Sequence, residues 1–225
     1  MNRLGFKLGG EAVEALASGA LWWPRQRLLA ASDLHLGRAE RQARLGGTLL
    51  PPYGTGDTLD RLEETIGTTD PDQVILVGDT FDDMAAADDL DASATERLLR
   101  LAAGRQWHWV TGNHDPAPVD LPGSHRDIVR IGGLEFRHIA KPDPVEGAEV
   151  SGHYHPKVRI RIRGSTIHRP CFLADRYRVI LPAFGTYTGG LDSADPAFDR
   201  LLSADATAIL TGPRPTALPR AMLEA

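Results

Sequence analysis

A chain of 225 residues with 42% hydrophobic and 24% charged content is long enough to bury a core of its own and reads as one globular domain. A formal net charge of −5 excludes recognition of nucleic acid by overall charge, so any such contact is local or carried by metal ions. The single cysteine, Cys171, excludes an intramolecular disulfide and a thiolate metal site, and points to a reducing compartment. The first twenty residues lack an apolar stretch of signal-peptide type and no run approaches the roughly 20 apolar residues of a membrane helix, so a cytoplasmic location is expected.

Three apolar runs feed polar loops in turn: "LLAASDLHLG" over 28–37, "QVILVGDTFDD" over 73–83 and "QWHWVTGNHD" over 106–115. Each reads as a buried strand. Between the first two, Leu59, Leu62 and Ile66 share one helical face and Gly67 suits a stop. Between the next two, Ser93 and Glu96 have the spacing of a capping box, with Gly104 at the far end. The resulting β-α-β-α-β order predicts a largely parallel sheet with its polar loops at the strands' carboxyl ends. After Asp127 the runs "DIVRIGGLEFRHI", "GAEVSGHYH", "KVRIRIRGSTIH" and "CFLADRYRVILP" shorten and read as antiparallel strands. A short helix is expected near "DPAFDRLLSADA", and the last dozen or so residues are expected to be partly disordered.

The strand-end residues form a set: Asp33 and His35, then Asp79, then Asn113, His114 and Asp115, then His138, then His153 and His155. Five of the eight histidines fall in it. Carboxylate, amide oxygen and neutral imidazole are donors for divalent first-row metals. The D-x-H and H-x-H spacings put residues i and i+2 on one side of a strand. Without thiolates the set favours a catalytic centre with open positions over a structural zinc site. The competing reading of these residues as turn and capping groups requires six separate coincidences. His108, His125 and His168 read as packing or surface groups, and Trp107 and Trp109 as core.

The order D-x-H, G-D-x-x-D, G-N-H-D, H, G-H-x-H, over Asp33 to His155, resembles the calcineurin-like metallophosphoesterase superfamily. The stretches "ASDLHLGRAERQARLGGTLLP", "SGHYHP" and "RPCFLADRYRVILPAFGTYTGGL" further resemble the PdeM family of bacterial ligase-associated DNA damage response endonucleases. The resemblance implies a four-layer α-β-β-α sandwich of two mixed sheets in a single domain, residues 1–225, with the metal-site core at about 25–190. It implies a first metal on Asp33, His35 and His155, a second on Asn113, His138 and His153, and Asp79 bridging them. His114 would stand at the leaving group, with Asp82 or Asp115 behind it. The ions would be two divalent metals, manganese first, with iron or zinc compatible with the donors.

The implied activity is phosphodiester hydrolysis by a hydroxide activated between the two metals, as a DNA endonuclease in repair. Single-stranded or damaged DNA would be the substrate, and a ligase and a helicase the associated partners. The alternatives are a small-molecule phosphatase or nucleotide phosphodiesterase, and a metal-free interaction scaffold. Lys157, Arg159, Arg161 and Arg163 alternate along one strand face. That face either tracks a phosphate backbone or protects an edge strand. Arg38, with Arg41 and Arg44 on one helical side, is a second candidate for substrate contact.

Overall fold

The computed structural model describes residues 2–223 apart from Thr48, Pro144 and Arg163, and gives Arg161 and Ile162 by backbone only. The chain opens with β1 (Arg3–Leu8), β2 (Glu11–Leu16) and β3 (Leu21–Trp23), an antiparallel meander that leads into β4 (Leu28–Ala31). Gly9 and Gly10 make the first turn with φ of 57° and 90°, values that suit a two-residue hairpin. Then come α1 (Arg38–Arg44), α2 (Gly54–Thr69), β5 (Gln73–Val77), α3 (Met84–Asp88), α4 (Ala92–Ala102), β6 (Gln106–Val110) and β7 (Ser124–Arg126). Strands β4, β5, β6 and β7 pair in parallel. One seven-stranded sheet results, in the order β1-β2-β3-β4-β5-β6-β7.

The second sheet is built from β8 (Ile128–Ile131), β9 (Leu134–Arg137), β10 (Ala148–Ser151), β11 (Lys157–Ile162), β12 (Ser165–Ala174), β13 (Arg178–Ile180), β14 (Thr207–Leu210) and β15 (Thr216–Pro219). Its order is β15-β14-β12-β13-β10-β9-β8, with β11 paired to the outer half of β12. The expected wholly antiparallel second half is corrected here, since β10 runs parallel to both β9 and β13. The charged residues that alternate with apolar ones along β9 and β10 are buried. Glu135, Arg137, Glu149 and Arg178 are each at most 8% exposed. They form a ladder in which Arg178 lies 2.8 Å and Arg137 3.4 Å from the Glu149 carboxylate, and Arg137 also pairs with Glu135. Ions that satisfy one another take positions that would otherwise face water.

Three apolar clusters cement the layers. Trp23, Ile75, Val77, Phe136, Val150, Phe172 and Val179 fill the space between the sheets. Leu59, Leu62 and Ile66 of α2 and Leu98 and Leu101 of α4 pack on the outer face of the first sheet. The outer face of the second sheet is covered by Phe198, Leu201 and Leu202 against Val158, Leu173 and Ile180. The expected helix there is a 3-10 turn, Pro196–Arg200. Two mixed sheets flanked by helical segments are thus the metallophosphoesterase sandwich, with its fourth layer reduced to a turn.

Other local expectations shift. Helix α2 runs through Gly67 and ends on Asp70, whose φ is 46°. Asp91, not Ser93, caps α4 by accepting from the Ala94 N–H. The stretch expected to be partly disordered after Arg214 supplies β15, paired to β14. Cys171 is fully buried, and burial pushes its thiol well up. Glu149→Ala, which takes from buried Arg178 and Arg137 the carboxylate they share, should cost about 3–5 kcal/mol in denaturant unfolding. A loss under about 1 kcal/mol would mean the ladder is not a structural unit.

Candidate metal centre

Parallel strands place their carboxyl ends along one edge. Asp33, Asp79 and Asn113 follow β4, β5 and β6, while His138 and the Gly152–His155 turn follow β9 and β10. The two edges are stitched together by the segment after β13. Ala183 bridges Ser32, Phe184 N–H donates to the Ser32 carbonyl, and Gly185 N–H donates to that of Asp33. Residues separated by about 120 positions therefore meet across the sandwich.

Strand alternation is not what gathers the D-x-H and H-x-H pairs. Asp33, His35, Asp79, His153 and His155 have φ of 56°, 48°, 47°, 70° and 47°. All five are left-handed non-glycine residues, each a conformation that costs on the order of 1–3 kcal/mol and needs its surroundings to impose it. Asp33 and Asp79 are buried beneath them. The preceding glycines allow the close approach: a side chain at Gly112 would overlap the Asp79 carboxylate, and one at Gly152 would overlap Ser32 and Asp33. His138 has no glycine before it, yet Gly78 plays that part from another strand, leaving room for its ring.

The donors fall into overlapping groups: Asp33, His35 and His155; His35, Asp79 and His114; Asp79, His138 and His153. Asp79 stands between the outer two, its Oδ2 4.0 Å from His35 Nε2 and 3.2 Å from His138 Nε2. Asn113 Oδ1 lies 3.0 Å from that same His138 nitrogen. The residues that the resemblance implies as ligands are thus brought together. Burial would raise Asp79, but His138 and the His114 backbone N–H hold its carboxyl down at about 2. Burial opposes ionisation of Asp33 too, and His155, His138 and Ser32 outweigh it and keep the carboxylate charged. His138 is raised, because Asp79 and Asp33 overcome the cost of burying its cation, whereas burial lowers His153.

Hydrogen bonds behind the rings fix their tautomers. His138 Nδ1 donates to the Val77 carbonyl at 3.1 Å, which turns Nε2 toward two acceptor oxygens. His35 Nδ1 lies 2.8 Å from Asp82 Oδ1, and its Nε2 faces His155 Nε2 at 3.4 Å. Asp33 Oδ1, buried, faces His155 Nε2 at 3.0 Å. Lone pairs turned upon lone pairs in a buried space need a positive charge among them, and a divalent cation fits these donors.

The resemblance implies Asp82 or Asp115 behind His114, and here the roles divide differently. His114 Nδ1 donates to the backbone carbonyl of Asp82 at 2.7 Å, leaving Nε2 free. The Asp82 carboxylate, at about 2 despite burial, instead serves His35, Arg38 at 2.9 Å and Arg41 at 3.2 Å. Asp115 accepts from the N–H groups of Asp79, Thr80, Phe81 and Gly112. Burial and the Asp79 charge push it up to about 6 all the same.

The cationic candidates scatter. Arg38 turns inward to Asp82, and Arg44 pairs with Asp83 at 2.7 Å. Lys157 donates to the Thr188 carbonyl at 2.7 Å. Arg159 is exposed with Asp192 3.8 Å away. Arg161 is known by its pairing with Thr166, and Arg163 lies outside the described residues. The three histidines set aside are elsewhere: His108 beside Ser124, His125 stacked on Trp109 and His168 exposed on β12.

The family comparison agrees with this geometry. The calcineurin-like phosphoesterase model matches residues 26–175, and the chain belongs to that family. It is therefore a phosphoesterase of a family that uses divalent metals, and its clustered donors are suited to hold them. Among solved structures it is similar to the Pseudomonas putida nuclease MPE, with 28% identity, a TM-score of 0.77, and coverage of 96% of this chain and 100% of that one. The E. coli phosphoesterase YfcE is more distant, at 17% identity and a TM-score of 0.42 over 73% of this chain and 83% of that one. Among curated proteins none matches. No helix among the described residues is long and apolar enough to cross a membrane.

Replacing Asp115 removes the acceptor of four N–H groups. Asp115→Ala should destabilise the fold by about 2–4 kcal/mol and weaken divalent-metal uptake, read by calorimetric titration. Undiminished metal affinity would detach Asp115 from the centre.

Proposed function

We propose that the chain is a dinuclear-metal phosphodiesterase that cuts DNA. Asp33, His35 and His155 would hold one divalent ion and Asn113, His138 and His153 the other, with Asp79 shared. The position of Asp79 between the two histidine groups carries this reading, because a carboxylate aimed at both can bridge two cations. Bound manganese, or iron or zinc, would supply Lewis acidity and an activated water. The protein supplies the rest. Asp82 and the Val77 carbonyl orient the imidazoles of His35 and His138. The Asp82 carbonyl fixes His114 Nδ1 as a donor, so that in the cationic ring Nε2–H can give its proton to the leaving oxygen. Asn113, exposed at the rim, can reach a phosphoryl oxygen.

A nuclease at 28% identity along the whole chain supports a nucleic-acid substrate over a phosphomonoester. A repair setting, with a ligase and a helicase nearby and a cytoplasmic location, belongs to the proposal through the resemblance alone. Of the two described cations of the β11 face, Lys157 and Arg159, Arg159 is the more open to a phosphate backbone. Its replacement by alanine should lower the slope of log affinity against log salt by about 1. An unchanged slope would leave β11 as a guarded edge.

The reading is tested with manganese-loaded protein on bis-p-nitrophenyl phosphate, p-nitrophenyl phosphate, and single- and double-stranded oligonucleotides. Turnover of the diester and of DNA is expected, and monoester cleavage alone would overturn it. His114→Ala should keep its metal by elemental analysis while losing about 10²–10⁴ in kcat. Asp79→Ala should lose both ions.

A further inference from the structure

The segment that stitches the two sheets together continues past His155, and one aromatic residue in it lies outside the core clusters. Gly190 lies so close to His155 that a side chain there would overlap it. Three residues earlier stands Tyr187, with φ of 63° and 36% of its surface exposed. A bulky aromatic residue in left-handed backbone is costly, and such strain persists only where neighbours impose it. They do so here. Thr186 N–H donates to Thr58 Oγ1 of α2 at 3.1 Å. Thr188 is held by its own hydroxyl on the Gly185 carbonyl at 3.3 Å and by Lys157 on its carbonyl. The ring so presented rests its edge on Gly54, where a methyl group would come within 3.0 Å of Cδ2 and 3.1 Å of Cε2. Next to Gly54 is Tyr53, 59% exposed at the start of α2. Neither tyrosine belongs to a core cluster.

We propose that Tyr187, with Tyr53 adjoining, is a stacking platform for an unpaired nucleobase of the strand whose phosphate lies at the metal centre. The inference rests on the nucleic-acid reading above and deepens it, since a base must be free of its partner to lie on an aromatic face. Aromatic platforms beside a backbone track hold single strands without reading their sequence. The same geometry gives Lys157 a use the basic stripe did not suggest: by fixing Thr188 it fixes the platform.

The test is a series of single-stranded oligonucleotides in which one abasic residue is moved along the chain, cut by manganese-loaded wild type and by Tyr187→Ala. In wild type, removing the base at one position near the cut should lower kcat/KM about 5- to 150-fold, the worth of one stacked base. In Tyr187→Ala that penalty should vanish, and Tyr187→Phe should restore it. Tyr187→Gly, which relieves the left-handed backbone, should show the same missing penalty with no fall in melting temperature. An abasic penalty of equal size in wild type and Tyr187→Ala would overturn the platform, as would a Tyr187→Ala variant that cuts the intact strand as well as wild type does. Failure of wild type to cut any oligonucleotide while it hydrolyses bis-p-nitrophenyl phosphate would instead remove the nucleic-acid reading itself.

Discussion

The centre depends on the backbone strain of five residues. Asp33, His35, Asp79, His153 and His155 hold positive φ together, a combined cost comparable to the whole stability of a small domain. What offsets it lies outside the centre. The apolar filling between the sheets fixes where β4, β5, β9 and β10 end. The Asp115 carboxylate gathers the N–H groups of the turn after β5, and the hydrogen bonds from residues 184 and 185 tie the second sheet's edge to Ser32 and Asp33. The fold is thus under tension at one edge, and that edge is where the donors face one another.

Electrostatics follows from that placement. Two carboxylates, Asp33 and Asp79, sit almost fully buried among five imidazoles and stay ionised. Bringing like lone pairs together in a space shielded from water is unfavourable unless a cation joins them. The same logic applied to Asp82 gives a different result, because Arg38 and Arg41 already neutralise it while it holds His35 Nδ1. Two arginines of a helix that looked available for substrate are thereby spent on the carboxylate that holds His35 in place.

Much of this was legible in the sequence, for a physical reason. Metal donors are few in kind, so Asp, His and Asn at the ends of apolar runs stand out as a set, and the resemblance divides that set between two ions. The parallel half of the first sheet was legible through its continuous apolar strands. The N-terminal meander was not, although the Gly-Gly between Leu8 and Glu11 was a usable hairpin signal. The parallel pairing of β9, β10 and β13 was hidden because short runs bounded by Gly and Asp read as hairpin strands, whereas which strands pair is set by the fold. Long-range roles, such as Asp82 behind His35 or Lys157 behind Thr188, leave no local pattern at all, since each depends on which loops the fold brings together.

The central claim is that two cations share one carboxylate between the histidine groups. Low-temperature electron paramagnetic resonance of the protein loaded with two equivalents of manganese addresses it directly. Two ions joined through Asp79 should give the broad, temperature-dependent signal of a spin-coupled pair. The six-line spectrum of isolated manganese at full loading would contradict the account.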